Sequence, residues 1–124
     1  MSNLNDQHIK DALQAYVDAI SGDDVEAVVA LFSEDAVVED PIGTEPQHGK
    51  DALRAFYQIA VDNVEKMTLE GNVRVRDHYG AASMLAKVKG ADVTMETLDV
   101  MELNEDGLIT KMTAYWGDSN MVMG

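Results

Sequence analysis

A chain of 124 residues, 46% hydrophobic and 26% charged, has the size and residue usage of one globular domain spanning 1–124 around a single core. Its formal net charge of −14, nine Lys plus Arg against 23 Asp plus Glu, repels phosphate backbones and anionic bilayers, so neither nucleic acid nor a membrane is an expected partner. No cysteine is present for a disulfide or thiolate metal site, and neither a signal-peptide pattern nor a run approaching ~18 apolar residues occurs, so a cytoplasmic placement is expected.

In chain order, Ile9, Ala12, Leu13, Tyr16, Val17 and Ile20 recur at helical spacing, with Asn5 or Asp6 as N-cap and Ser21-Gly22 as the stop. Asp23 or Asp24 can cap a second, shorter helix with Val25, Val28, Val29 and Phe32 as its apolar stripe. Ala36 to Asp40 reads as a short strand stopped by Pro41, which has no N–H to give a ladder. A loop from Ile42 to His48 follows, and Gly49 opens a third helix with Leu53, Phe56, Tyr57 and Val61 on its buried side.

The period then changes. Met67–Asp77, Ala81–Lys89, Val93–Leu103 and Leu108–Trp116 read as strands, and the short separators at 78–80, 90–92 and 104–107 suit hairpins. Helices followed by hairpin-linked strands predict an α+β fold: a curved antiparallel sheet with three N-terminal helices packed across one face and a pocket between them.

Three polar groups fall where apolar ones are expected. Alternation places Asp99 on one strand face with Val93, Met95, Thr97, Met101 and Leu103, where an unpaired carboxylate is costly and a raised pKa follows. Tyr16 sits in the middle of the first helix's stripe, and Asp40 shares a face with Ala36 and Val38. Singly, each has a plain alternative: a buried Tyr is often core filler, an Asp before Pro often a turn residue, and a buried Asp a paired one.

Jointly they resemble a family. The segments Val38-Glu-Asp-Pro-Ile-Gly43, His48-Gly49, Phe56-Tyr57, Asp99-Val-Met101 and Ala114-Tyr-Trp116, with Tyr16 before them, resemble the bacterial Δ5-3-ketosteroid isomerases along nearly the whole chain. The resemblance implies the cone-shaped NTF2-like (SnoaL-like, cystatin-like) fold. It also implies that Asp40 is the base that shuttles a proton from C4 to C6 of a steroid, while Tyr16 and a neutral Asp99 hold the enolate oxygen. A carboxylic acid kept neutral near pH 7 is a known property of these enzymes and comes to Asp99 only through the resemblance.

That chemistry needs no cofactor, and His8, His48 and His78 lack the close spacing of a metal site. Phe56, Met84, Met101, Met112 and Trp116 are candidates to line an apolar steroid site, and Tyr57 to bond the Tyr16 hydroxyl. Phe32 departs from family members that carry a hydroxyl there, so a shorter tyrosine network is expected. A homodimer is expected through an outer sheet face carrying Val73, Val75 and Tyr115.

Two rivals remain. Another enzyme of this fold, a polyketide cyclase or epoxide hydrolase, would carry different polar residues, and the Asp, Arg, Asp set of the hydrolase has no matching buried Arg here. A non-catalytic module binding a hydrophobic ligand would not need three ionisable groups facing one interior.

Overall fold

The computed structural model describes residues 4–124. Helix α1 (Asp6–Ser21) starts where the Asn5 side chain accepts the His8 N–H at 3.0 Å, and buries Ile9, Leu13, Tyr16, Val17 and Ile20. Asp24 caps α2 (Val25–Val29) through the Ala27 N–H. Strand β1 (Phe32–Glu39) follows, then the two-residue β2 (Gln47–His48), helix α3 (Gly49–Asn63) and strands β3 (Val64–Arg76), β4 (Tyr79–Val88), β5 (Val93–Leu103) and β6 (Ile109–Tyr115). A 3₁₀ turn at Asp118–Asn120 leads to a last short strand, β7 (Met121–Met123).

The sheet runs β2-β1-β6-β5-β4-β3, with β7 also pairing β5. From β3 to β6 it is the expected antiparallel meander, but β1 pairs β6 in parallel, so the sheet is mixed rather than antiparallel throughout. The reason lies in the connection. The chain leaves β1 through β2 and α3 and comes back, after the β3–β5 meander, as β6, which lies beside β1 and runs in the same direction.

Three further expectations change. Phe32 does not extend the stripe of α2, which stops after five residues; it opens β1 opposite Ile109, four residues before the expected start of that strand. Gln47 and His48, read as loop, pair Val38 and Val37 as β2. Val73 and Val75 do not face outward, because α1 crosses β3 and covers them; Val73 is buried and Val75 packs against the core. Tyr115 does face outward, opposite an equally exposed Leu98 on β5.

Gly80 permits the close seating of α1 on the sheet. A Cβ at that position would stand 2.5 Å from Ile9 Cγ2 and 3.1 Å from Leu13 Cδ1, so any other residue would have to displace these side chains or the helix that carries them. With α1 and α3 laid over the concave face, the core fills one end of the sheet and leaves a hollow at the other.

Candidate active site

That hollow is a cavity of about 330 Å³, and its wall brings together Tyr16 from α1, Asp40 from the end of β1, Tyr57 from α3, Asp99 from β5 and Trp116 just past β6. Each group arrives by its local pattern. Ala36 and Val38 are buried, and Asp40 continues their face where the strand ends. The turn after it is tied down by the Ile42 N–H to Ala114 O (2.8 Å) and the Gly43 N–H to Glu39 Oε2 (2.7 Å). Asp99 is only 2% exposed, midway along a strand whose other residues on that side are apolar apart from Thr97.

Asp40 accepts the indole N–H of Trp116 on Oδ1 at 2.7 Å. Burial pushes its carboxyl above the ordinary carboxylate value, and the Trp116 hydrogen bond opposes the rise. Asp99 is pushed further, to about 7, first by burial and then by the negative charge of Asp40, with Thr97 opposing. The two carboxyl groups therefore differ: Asp40 is the more readily ionised, and Asp99 keeps its proton up to the neighbourhood of pH 7.

Tyr16 and Tyr57 share a hydrogen bond between their hydroxyls at 3.1 Å. Both are held well above the ordinary phenol value, chiefly by burial. Their rings cross nearly at right angles, 5.8 Å apart, and Phe32 packs on both, 6.5 Å from Tyr16 and 5.5 Å from Tyr57. With Phe32 in that place the hydroxyl chain ends at Tyr57.

Phe56, Tyr57 and Trp116 are on the wall as expected. Met84, Met101 and Met112 are not; all three are fully buried in the core, on the expected side of the sheet but where the helices have closed over it. Met95 and Thr97 line the cavity instead, and their signal was the same alternation that singled out Asp99. Ile20, one turn past Tyr16, and Ile59 and Ala60 on α3 complete the apolar side of the opening. No arginine lines the wall among the described residues. Nor is there a group of three or more His, Asp or Glu placed to hold a metal ion among them.

Residues 13–112 match the model of the SnoaL-like domain family. The chain belongs to this SnoaL-like family, of NTF2-like fold. A steroid Δ-isomerase of Nocardioides simplex is 33% identical over 117 residues, covering 93% of this chain and 94% of that one. The epoxide hydrolase LasB of Streptomyces lasalocidi is 31% identical over 123 residues, and the match takes in 87% of this chain but 41% of that longer protein. Among solved structures, the epoxide hydrolase/cyclase-like enzyme SalBIII, which has a role in pyran ring formation in the polyether salinomycin, superposes with a TM-score of 0.88 at 26% identity, covering 97% of this chain and 98% of that one. This SnoaL-like chain is thus similar to enzymes of more than one reaction class, and none of its described helices is long and apolar enough to cross a membrane.

Proposed function

We propose that the protein is a steroid Δ-isomerase that converts Δ5-3-ketosteroids to their Δ4 isomers. The observation that carries this reading is the pairing, in one apolar cavity, of a carboxylate with a second carboxyl whose pKa stands near 7 beside a buried phenol. At about 330 Å³ the cavity is within the ~300–1,000 Å³ typical of small-molecule sites.

The chemistry is a proton moved twice by one base. Asp40 removes a hydrogen from C4, next to the 3-ketone, and the electron pair passes through the carbonyl to give a dienolate with its charge on O3. The same Asp40, now protonated, gives the proton to C6, and the double bond moves into conjugation. A carboxylate over one face of a flat substrate reaches both carbons with little movement. Tyr16 and neutral Asp99 donate to O3 as its charge develops, in a site with little water to reorganise. An ionised Asp99 would repel that oxygen, so its raised pKa is part of the fit.

The relatives LasB and SalBIII favour a second reading, the opening of an epoxide with Asp99 as the acid on the epoxide oxygen and Asp40 as the base on the attacking hydroxyl. No arginine lines the described wall, so the Asp, Arg, Asp set expected above for an epoxide hydrolase of this fold is incomplete here. Ultraviolet absorbance decides between them. A Δ5-3-ketosteroid mixed with catalytic protein should gain the absorbance of a conjugated enone. No gain over the buffer rate would reject the isomerase reading.

A further inference from the structure

Thr97 and Asp99 lie two residues apart on the cavity face of β5, and each keeps one polar atom sealed from solvent with no hydrogen-bond partner among the described residues: Thr97 Oγ1 and Asp99 Oδ1. Buried polar atoms are rarely left unpaired, because an unmade bond costs the full desolvation of the group. Nothing across the strands supplies a partner: Asp99 stands opposite Ala82 on β4 and Ala114 on β6, and Thr97 opposite Met84.

Of the other titratable groups around Asp99, Asp40, just past β1, acts on it, and Asp99 in turn acts on Tyr16 of α1 and Tyr57 of α3. The two phenols bond each other, and the carboxylate is held by Trp116. The single bond between the phenols uses one phenol proton and leaves the other, on Tyr16 in the proposed reaction, for the substrate oxygen. On the strand of Asp99 itself the Thr97 hydroxyl is the donor left uncommitted, and it already acts on the Asp99 carboxyl in the direction of a hydrogen bond, favouring the ionised form.

We propose that Thr97 is a positioning residue whose hydroxyl donates to Asp99 Oδ1, so that the carboxyl proton is held on Oδ2, the oxygen left to face the cavity. One bond satisfies both sealed atoms. It also fixes the rotation of the carboxyl group, since a proton on Oδ1 would put two donors against each other. This rests on the reading of Asp99 as a neutral donor to the substrate oxygen. On that reading Thr97 never touches substrate and acts only through Asp99.

The test compares Thr97→Val, which removes the hydroxyl at nearly constant shape, with Thr97→Ser, which keeps it. Carbon-13 NMR of protein labelled at the aspartate carboxyls follows the titration of Asp99 directly, its signal assigned with Asp99→Asn. In Thr97→Val the ionisation constant of Asp99 should fall about tenfold, as expected for losing one hydrogen bond to a charged group, so that it titrates at higher pH. Thr97→Ser should titrate as the parent does. Turnover of a Δ5-3-ketosteroid should fall about tenfold in kcat with KM nearly unchanged for Val, and recover for Ser. If the Val variant does not fold, Thr97→Ala removes the same hydroxyl and should move the titration in the same direction. An Asp99 titration unmoved by loss of the hydroxyl, or a Ser variant that behaves like Val, would overturn the proposal. The NMR readout is independent of turnover: a parent that forms no enone rejects the isomerase reading, while the titration still decides the Thr97–Asp99 bond.

Discussion

Trp116 donates its indole N–H to Asp40 Oδ1 at 2.7 Å, so the aromatic wall of the cavity and the carboxylate at its centre are one hydrogen-bonded unit. Trp116 follows β6 and Asp40 follows β1, and these strands are the parallel neighbours, Glu39 standing opposite Thr113. The parallel pairing thus carries both residues to the same end of the sheet. One carboxylate oxygen is held, and the carboxyl plane with it.

Replacing Trp116 by Phe should therefore depopulate the base form of Asp40 and release its carboxyl plane. The hydrogen bond lowers the pKa of Asp40, so its loss raises that pKa, and the base form should disappear at higher pH as the solution is acidified. The acid limb of the kcat/KM profile should move to higher pH, and kcat at neutral pH should fall by about tenfold, the lower end of the value of one hydrogen bond to a charged group. An acid limb that stays in place would show that the indole only fills space.

Much of this arrangement was legible in residue order, and the rest was lost for identifiable reasons. Strand β5 falls on its expected bounds, Val93–Leu103, and strict alternation was enough to bury Asp99 there. The caps were legible to within one residue, Asn5 or Asp6 and Asp23 or Asp24, because their bonds are local, and Asn5 and Asp24 make them. The parallel β1–β6 pairing was not, since it joins segments some seventy residues apart and no local pattern encodes the partner. Met84, Met101 and Met112 show the same limit: alternation gives the face of the sheet a side chain occupies, but not how far the helices close over that face. The role of Trp116 as a donor was missed because an indole on an apolar wall reads as lining until its N–H direction is known.

Asp40→Asn should abolish most turnover while sparing ligand affinity. The amide keeps the shape of the carboxylate but accepts no proton, and a general base typically contributes ~10²- to 10⁴-fold. A phenolic steroid such as equilenin should still bind. Removing the negative charge of Asp40 also removes one of the causes that raise Asp99, so Asp99 should titrate at lower pH in this variant. Single-turnover absorbance and calorimetric titration check the two halves, and near-parental kcat would remove Asp40 from the role of base.

Asp99 also makes folding stability depend on pH. Its folded value of about 7 lies above the ordinary 3.8, so between those limits the folded state binds more protons than the unfolded one. The resulting stabilisation is complete below the unfolded value and is lost as pH rises toward 7. Asp99→Asn has no such dependence. Between pH 5 and pH 8 the parent should lose on the order of 3 kcal/mol relative to this variant. Urea unfolding of both proteins at the two pH values measures the difference, and a constant gap would mean that Asp99 does not titrate near neutrality.

The chemical role of Asp99 is separable from its charge by comparing Asn with Leu. Asn keeps an N–H to donate toward O3, whereas Leu leaves that oxygen to Tyr16 alone, and loss of one such donor typically costs on the order of 10²- to 10³-fold in kcat. Asp99→Asn should accordingly be the milder change, and its activity should persist on the alkaline side, where the parent loses the neutral acid as Asp99 ionises near pH 7. A phenolic steroid such as equilenin, whose anion imitates the dienolate, should bind Asp99→Leu more weakly than the parent. Calorimetry at a pH below 7 makes this comparison with Asp99 protonated. Equal losses for Asn and Leu, with unchanged affinity for the phenolic ligand, would place Asp99 outside the oxyanion site and leave its burial without a catalytic purpose.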